Sequence, residues 1–242
     1  MPSPSLARRS TALELMDTES YSFEGFRAYL AELERINTWV LVYRPTLRWL
    51  TQVLSGARRE GPVTILDVGS GNGDMLRQIW TWAGRRGVAV ELTGVDRNPW
   101  SQKSAELATP PGAPIRFATA NIFDFEPPGR FDCVISSHFT HHLTDDDTVR
   151  FLHWMDDHAR LGWFINDLHR HPLPHGVIKY ATRLFGGNPS VRHDGPLSVA
   201  RAFTAADWRS LLDRAGIPAS QAEIRWFFPF RYCVARRKSA CP

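Results

Sequence analysis

Leu66-Asp67-Val68-Gly69-Ser70-Gly71-Asn72-Gly73 is the stretch on which the fold turns. It closes a short apolar run, Val63-Thr-Ile-Leu-Asp-Val68, and leads into a helical pattern from about Asp74 to Arg86. Strand, glycine turn and helix follow each other without a spacer. Glycines at alternate positions let the chain turn sharply and let its backbone lie against a ligand where a Cβ would intrude. Further on, Val88 to Val95 reads as a second strand, Pro99 to Ala108 as a helix and Ile115 to Ala118 as a third strand. Phe131-Asp-Cys-Val-Ile-Ser136 reads as a fourth strand. Asp145 to Ala159 is a helix with Phe151, Leu152 and Met155 on one side, and Leu161 to Ile165 a fifth strand. Strands alternating with helices require crossover connections, and hence a parallel sheet covered on both faces.

Phe26, Tyr29, Leu30, Leu33 and Ile36 recur at helical steps between Phe23 and Leu54, and Arg44-Pro45 is expected to split that stretch into two helices. Gly56 to Pro62 reads as a linker. Residues 1–60 are therefore expected to form a helical cap or substrate lid on a core spanning 61–242. An insert at 168–203 is expected to hold a helix from His175 to Phe185 and a glycine-rich turn. Thr204-Ala-Ala-Asp207 resembles a capping box, with Asp in place of Glu, opening a helix that ends near Gly216. Ala222 to Trp226 and Phe230 to Ala235 complete the pattern as a terminal strand pair. The expected fold is α/β: a Rossmann-like, seven-stranded, mostly parallel sheet with helices on both faces.

The composition fits one such domain. Of 242 residues, 43% are hydrophobic and 22% charged, which excludes a disordered acidic chain and a membrane bundle. The longest apolar run, Trp39 to Tyr43, is far short of the roughly 20 residues of a spanning helix, and no signal-peptide pattern is seen. Cys133, Cys233 and Cys241 have no metal-type spacing, and an odd count suggests reduced thiols in the cytoplasm. The net charge is only +4, and Arg236-Arg237-Lys238 form one terminal run, so no nucleic-acid groove is expected. Nine Trp and fourteen Phe point instead to a roomy apolar pocket or lid.

Asp96, at the end of the second predicted strand, suits a carboxylate accepting the hydroxyls of a ribose. A dinucleotide loop reads G-x-G-x-x-G and admits a pyrophosphate. Here the spacing is G-x-G-x-G, flanked by Asp67 and Asp74. Two carboxylates repel pyrophosphate but suit a sulfonium and an α-ammonium group, which favours S-adenosylmethionine.

At Asp67-Val68-Gly69-Ser70-Gly71-Asn72-Gly73, Asp96 and Phe131-Asp132-Cys133-Val134-Ile135 the chain resembles the class I S-adenosylmethionine-dependent methyltransferases, over about residues 60–170. The resemblance implies Asp67, Gly69, Gly71 and Gly73 around the methionine part and Asp96 on the ribose, with Arg97, Asn121, Ile122 and Ser137 completing the cofactor set. Asn121 stands where such proteins usually carry an Asp on the adenine amino group, so that contact would pass to an amide. Glu14-Leu-Met-Asp17, Leu33-Glu-Arg-Ile-Asn37 and the stretch from Arg192 to Phe203 look like a bacterial branch of small-molecule methyltransferases, similar to quinone- and polyketide-tailoring enzymes.

His138, His141 and His142 crowd the end of the fourth strand, and His169 and His171 follow the fifth. Ligands of open α/β sheets sit beyond the carboxyl ends of the strands. An imidazole there suits a general base for a phenolic hydroxyl. His141 and His138 are the leading candidates and His169 a third, whereas His142 reads as packing against or capping the next helix. His138-x-x-His141-His142 also has ligand-like spacing. Relatives that bind a divalent ion at this place carry E-x-x-E-H, and without its carboxylates Mg²⁺ loses its hard ligands, so no metal is expected. The charges of Asp167-Leu-His169-Arg170 and Arg192-His193-Asp194 fit either a solvated face or a lid. The expected activity is methyl transfer to a hydroxyl of a small, largely apolar aromatic or polyketide-type molecule, with no nucleic acid or membrane as partner. C-methylation, metal-assisted O-methylation and a non-enzymatic sensor or scaffold stay open, as does the oligomeric state, a homodimer included.

Overall fold

A computed structural model describes residues 6–18, 21–55, 61–184 and 187–238. Most of the expected linker at Gly56 to Pro62 lies outside the described residues, as do Phe185 and Cys241. The described helices are α1 (Leu15–Thr18), α2 (Phe23–Trp39), α3 (Tyr43–Val53), α4 (Asp74–Gly84), α5 (Pro99–Ala108), α6 (Asp145–His158), α7 (Pro172–Leu184), α8 (Pro189–Arg201) and α9 (Ala205–Arg214). Five strands run parallel: β1 (Val63–Val68), β2 (Val90–Asp96), β3 (Ile115–Thr119), β4 (Phe131–Ser137) and β5 (Ala159–Leu168). β6 (Ala222–Phe227) and β7 (Arg231–Arg237) add an antiparallel pair, and the sheet order is β3-β2-β1-β4-β5-β7-β6. This is the seven-stranded, mostly parallel, Rossmann-like sheet that the apolar runs predict.

The runs are apolar because both faces of the central strands are covered. Val63 and Ile65 join Trp49, Leu50, Leu76 and Ile79 on one face. Leu66 and Val68 point the other way and join Phe151, Trp163, Phe203 and Trp208. α3 therefore belongs to the main core, while Phe26, Tyr29 and Leu30 of α2 form a smaller cluster with Val191 of α8. Strand order reverses between β1 and β4, which opens a crevice beyond their carboxyl ends, where ligands of such sheets bind.

Two local expectations shift. The break between α2 and α3 falls at 40–42, where Leu41 takes a positive φ of 56°, and not at Arg44-Pro45. Pro45 sits in the first turn of α3, where a missing N–H costs no intrahelical bond. The insert holds a second helix, α8, in place of a plain glycine-rich turn. Asn188 caps it and Pro189 opens it. Its Asp194 carboxylate accepts the Leu15 and Met16 N–H groups (2.8 and 3.1 Å) and the Tyr29 hydroxyl (3.3 Å). The Thr204–Asp207 capping box forms as expected, and Asp207 also receives Arg170 at 2.6 Å. Among the described residues no helix is long and apolar enough to cross a membrane.

Candidate functional site

β1 ends at Val68, and the chain then passes through Gly69, Gly71 and Gly73, all with positive φ. A Cβ on Gly69 would lie 2.7 Å from the Phe139 ring, and one on Gly73 would lie 2.6 Å from the Phe117 ring. Packing thus fixes both ends of the loop. Gly71 between them is open, with only Leu30 as near as 4.0 Å. Its N–H donates to Asp96 Oδ2 (3.0 Å), and Asp96 Oδ1 accepts the Asn98 N–H (2.9 Å). Asp67 is buried, and its Oδ1 has no hydrogen-bond partner among the described residues. Asp74 accepts the Tyr43 hydroxyl at 2.7 Å and Asn37 at 3.2 Å. Burial raises the carboxyl pKa of all three, and the charges of Asp74 and Asp96 push Asp67 further up. Glu34 of α2 accepts from Asn72 (2.6 Å) and Arg77 (2.8 Å), so α2 lies across the loop as a cover.

Asp67, Gly69, Gly71, Asp74 and Asp96 line one cavity of about 1250 Å³, larger than the roughly 300–1,000 Å³ of ordinary ligand pockets, whereas Gly73, packed against Phe117, is not part of its wall. Arg97, Asn121, Ile122 and Ser137 line it too. The Ser137 hydroxyl is buried and has no partner among the described residues. Asn121 caps the short turn Ile122–Asp124, accepting from the Phe123 N–H (3.3 Å) and donating to Asp124 (3.1 Å). Arg97 pairs with Asp17 of α1 at 3.0 Å.

The histidines part company. His141 is 3% exposed, and its Nδ1 lies 2.7 Å from Asp167 Oδ1. Asp167 also accepts from the Thr140 hydroxyl (2.5 Å) and from the His141 and Leu168 N–H groups (3.0 and 2.8 Å). Burial alone would raise its carboxyl, but the charge and hydrogen bond of His141 outweigh that and hold it far below the usual range. His141 Nε2 faces Glu14 at 3.7 Å. His142 also turns into the cavity, with Nδ1 on Asp17 (3.0 Å) and Nε2 3.9 Å from Glu14. One donor atom each from Glu14, His141 and His142 lie within 4.8 Å of one another. His138 accepts from Arg231 at its Nε2 (2.5 Å), and burial with that neighbouring charge pushes it down to about 3. His169 bridges to Phe203 and packs on Tyr232, away from the cavity lining.

Residues 65–162 match the family model described as a methyltransferase domain. Residues 65–162 thus carry a methyltransferase domain. Solved structures share its fold at low identity. The plantazolicin methyltransferase BpumL, in complex with SAH, is 14% identical over 89% of this chain and 90% of that one, with a TM-score of 0.65. The magnesium protoporphyrin IX methyltransferase ChlM from Synechocystis PCC 6803, with bound SAH, is 16% identical over 91% and 90%, with a TM-score of 0.56. Human N-acetylserotonin methyltransferase, in complex with SAM, is 13% identical over 90% of this chain and 56% of its own, with a TM-score of 0.62. No curated protein sequence matches the chain.

The expected loop residues Gly69 and Gly71, Asp96 and the histidines His138, His141 and His142 meet at one cavity, and the contacts that complete the histidine cluster come from outside the expected set. Glu14 reaches His141 because Asp194 of α8 holds the first turn of α1. The Arg201 guanidinium donates to the carbonyls of Ala12, His141 and His142, tying the N-terminal segment to the loop after β4. The one legible signal was Asp167, an acidic residue closing an apolar strand beside the histidines.

Proposed function

We propose that the protein transfers a methyl group from S-adenosylmethionine to a hydroxyl of a small, largely apolar acceptor. One observation carries this reading: Asp67, Asp74 and Asp96 line one cavity with an open Gly71, and Asp67 Oδ1 is buried without a partner among the described residues. Such a cradle repels phosphate and favours a cation. S-adenosylmethionine supplies a methyl group on a sulfonium, and it carries an α-ammonium group beside it. Asp67 would face that cationic end, Asp96 the ribose, and Asn121 with Ile122 the adenine. The SAH and SAM bound in the similar structures support the choice of ligand. His141 Nε2 accepts the acceptor's hydroxyl proton, and Asp167 at Nδ1 fixes the tautomer and stabilises the resulting imidazolium. The apolar cavity holds the acceptor in place, and contact between nucleophile and methyl carbon contributes most of the rate.

Calorimetry with S-adenosylhomocysteine and with NAD tests the cofactor. Asp96→Ala is expected to weaken S-adenosylhomocysteine binding by about 1–3 kcal/mol through lost charge-assisted bonds. Tight NAD binding with none for S-adenosylhomocysteine would move the protein to the oxidoreductases.

A second reading has its own observation, the Glu14–His141–His142 set. Two imidazoles oriented at Nδ1 by Asp167 and Asp17, with one carboxylate, suit Zn²⁺, Co²⁺ or Fe²⁺ better than Mg²⁺. An ion there would supply Lewis acidity for the acceptor hydroxyl. His142→Ala separates the two readings, because only a ligand role makes His142 indispensable. Activity lost in EDTA and restored by one divalent ion, together with loss in His142→Ala, would establish the metal reading.

A further inference from the structure

Arg231 is the first residue of β7 and is 2% exposed, yet it lines the same cavity as the glycine loop. A guanidinium carries five N–H donors and keeps its charge when buried. Here one nitrogen donates to His138 Nε2 at 2.5 Å and another reaches the Val40 carbonyl only at 3.4 Å. Nε has no partner, and among the described residues no carboxylate forms an ion pair with Arg231. Asp167, the carboxylate whose field reaches it, spends both oxygens on Thr140, His141 and Leu168. A buried cation left with spare donors and no anion is costly, and a chain keeps one where a ligand supplies the missing charge. The surroundings fit an apolar molecule with one charged end: Val40, Val42, Leu168 and Phe230 line the cavity beside it.

Resting on the reading of this cavity as the acceptor site, we propose that the acceptor carries a carboxylate, received by Arg231 with His138 as its positioning partner. The planar fork of the guanidinium matches two carboxylate oxygens. His138, accepting from Nη1, fixes the plane of that fork at the cavity wall, with Nε unpartnered and the Val40 contact at 3.4 Å long enough to yield to a ligand. The carboxylate is an anchor and not the methylated group, because an oxygen held by a guanidinium is a weakened nucleophile. The substrate class is therefore a hydroxylated acid, with its hydroxyl at His141 and its acid group at Arg231.

The probes are 2,4-dihydroxybenzoate and its neutral isostere 2,4-dihydroxybenzamide, at millimolar concentration, with binding followed by ligand-observed NMR on the full chain with and without S-adenosylhomocysteine. The acid is expected to bind at least about tenfold better than the amide. Arg231→Gln should bring the two to parity, and Arg231→Lys should keep part of the preference. S-adenosylhomocysteine affinity should not change in either variant, so failure of the cofactor reading shows separately. Should Arg231→Gln fold poorly, His138→Gln, which removes the ring but not the cation, is expected to reduce the preference without abolishing it. Equal binding of acid and amide to the unchanged protein, absence of acid binding, or a preference that survives Arg231→Gln would each overturn the proposal. A methyl ester of the acid as product would overturn the anchoring role.

Discussion

His141→Asn is expected to lower turnover about 10²–10⁴-fold while S-adenosylhomocysteine affinity and thermal stability stay close to those of the unchanged protein. Asn is the informative replacement, because its amide can still donate to Asp167 where Nδ1 does now, at 2.7 Å. Only the outward nitrogen is lost. His141→Ala should be as inactive but less stable, since it leaves the buried Asp167 carboxylate short of one of its partners. His138→Ala should behave differently. The lone pair of His138 is already taken by Arg231, and burial beside that cation keeps the ring neutral. Its loss should raise KM for an acidic acceptor more than it lowers kcat. The assay is transfer of labelled methyl from the donor to the acceptor recovered from a metabolite extract. Near-normal turnover in both His141 variants at neutral pH would sink the base assignment, and the acceptor would then react already ionised, by proximity alone.

That contrast marks where sequence reading succeeds and where it stops. β1, β4 and β5 were legible because a strand covered on both faces carries a near-continuous apolar run, and the glycine loop because packing against Phe139 and Phe117 leaves no room for a Cβ. Thr204 and Asp207 were legible because a capping box is local. α8 was not. Arg192-His-Asp-Gly-Pro has weak helical preference, and what holds it is tertiary: Asp194 receives α1 and Tyr29, and Ser198 donates to Glu14. The same holds for the site. His138, His141 and His169 look alike as residues at strand ends, and what separates them comes from elsewhere in the chain. Arg231 arrives from β7, Glu14 from α1, and Phe203 draws His169 out of the cavity. No spacing pattern encodes contacts between elements so far apart in the chain.

Glu14→Gln is expected to gain about 3 kcal/mol of stability over the unchanged protein as pH rises from about 5 to about 8 in a chelating buffer. Burial raises the Glu14 carboxyl from 4.5 to about 7, against the opposing influence of His142 and Ser198. The folded chain therefore holds this proton more tightly than the unfolded one does. The stability it contributes is complete below pH 4.5 and is lost as pH climbs through 7. Gln keeps the oxygen that accepts from Ser198 (2.9 Å) and never ionises, so it escapes the loss. Other groups bend the pH profile of both proteins. Asp67, Asp74 and Asp96 act in the same direction as Glu14, while His138, depressed to about 3, adds stability as pH rises towards 6.5. Because both proteins share those groups, the difference between their denaturant curves isolates Glu14. A difference that does not change with pH would show that Glu14 is ionised throughout. Zinc then sharpens the comparison. If Glu14, His141 and His142 hold an ion, the carboxylate becomes its ligand, and saturating Zn²⁺ at pH 8 should stabilise the unchanged protein by about 3 kcal/mol at a hundredfold excess over Kd, erasing the variant's advantage. If His141 serves as the free base, the advantage of Glu14→Gln persists in zinc, and the carboxylate's place beside Nε2 is that of a proton neighbour to the acceptor site.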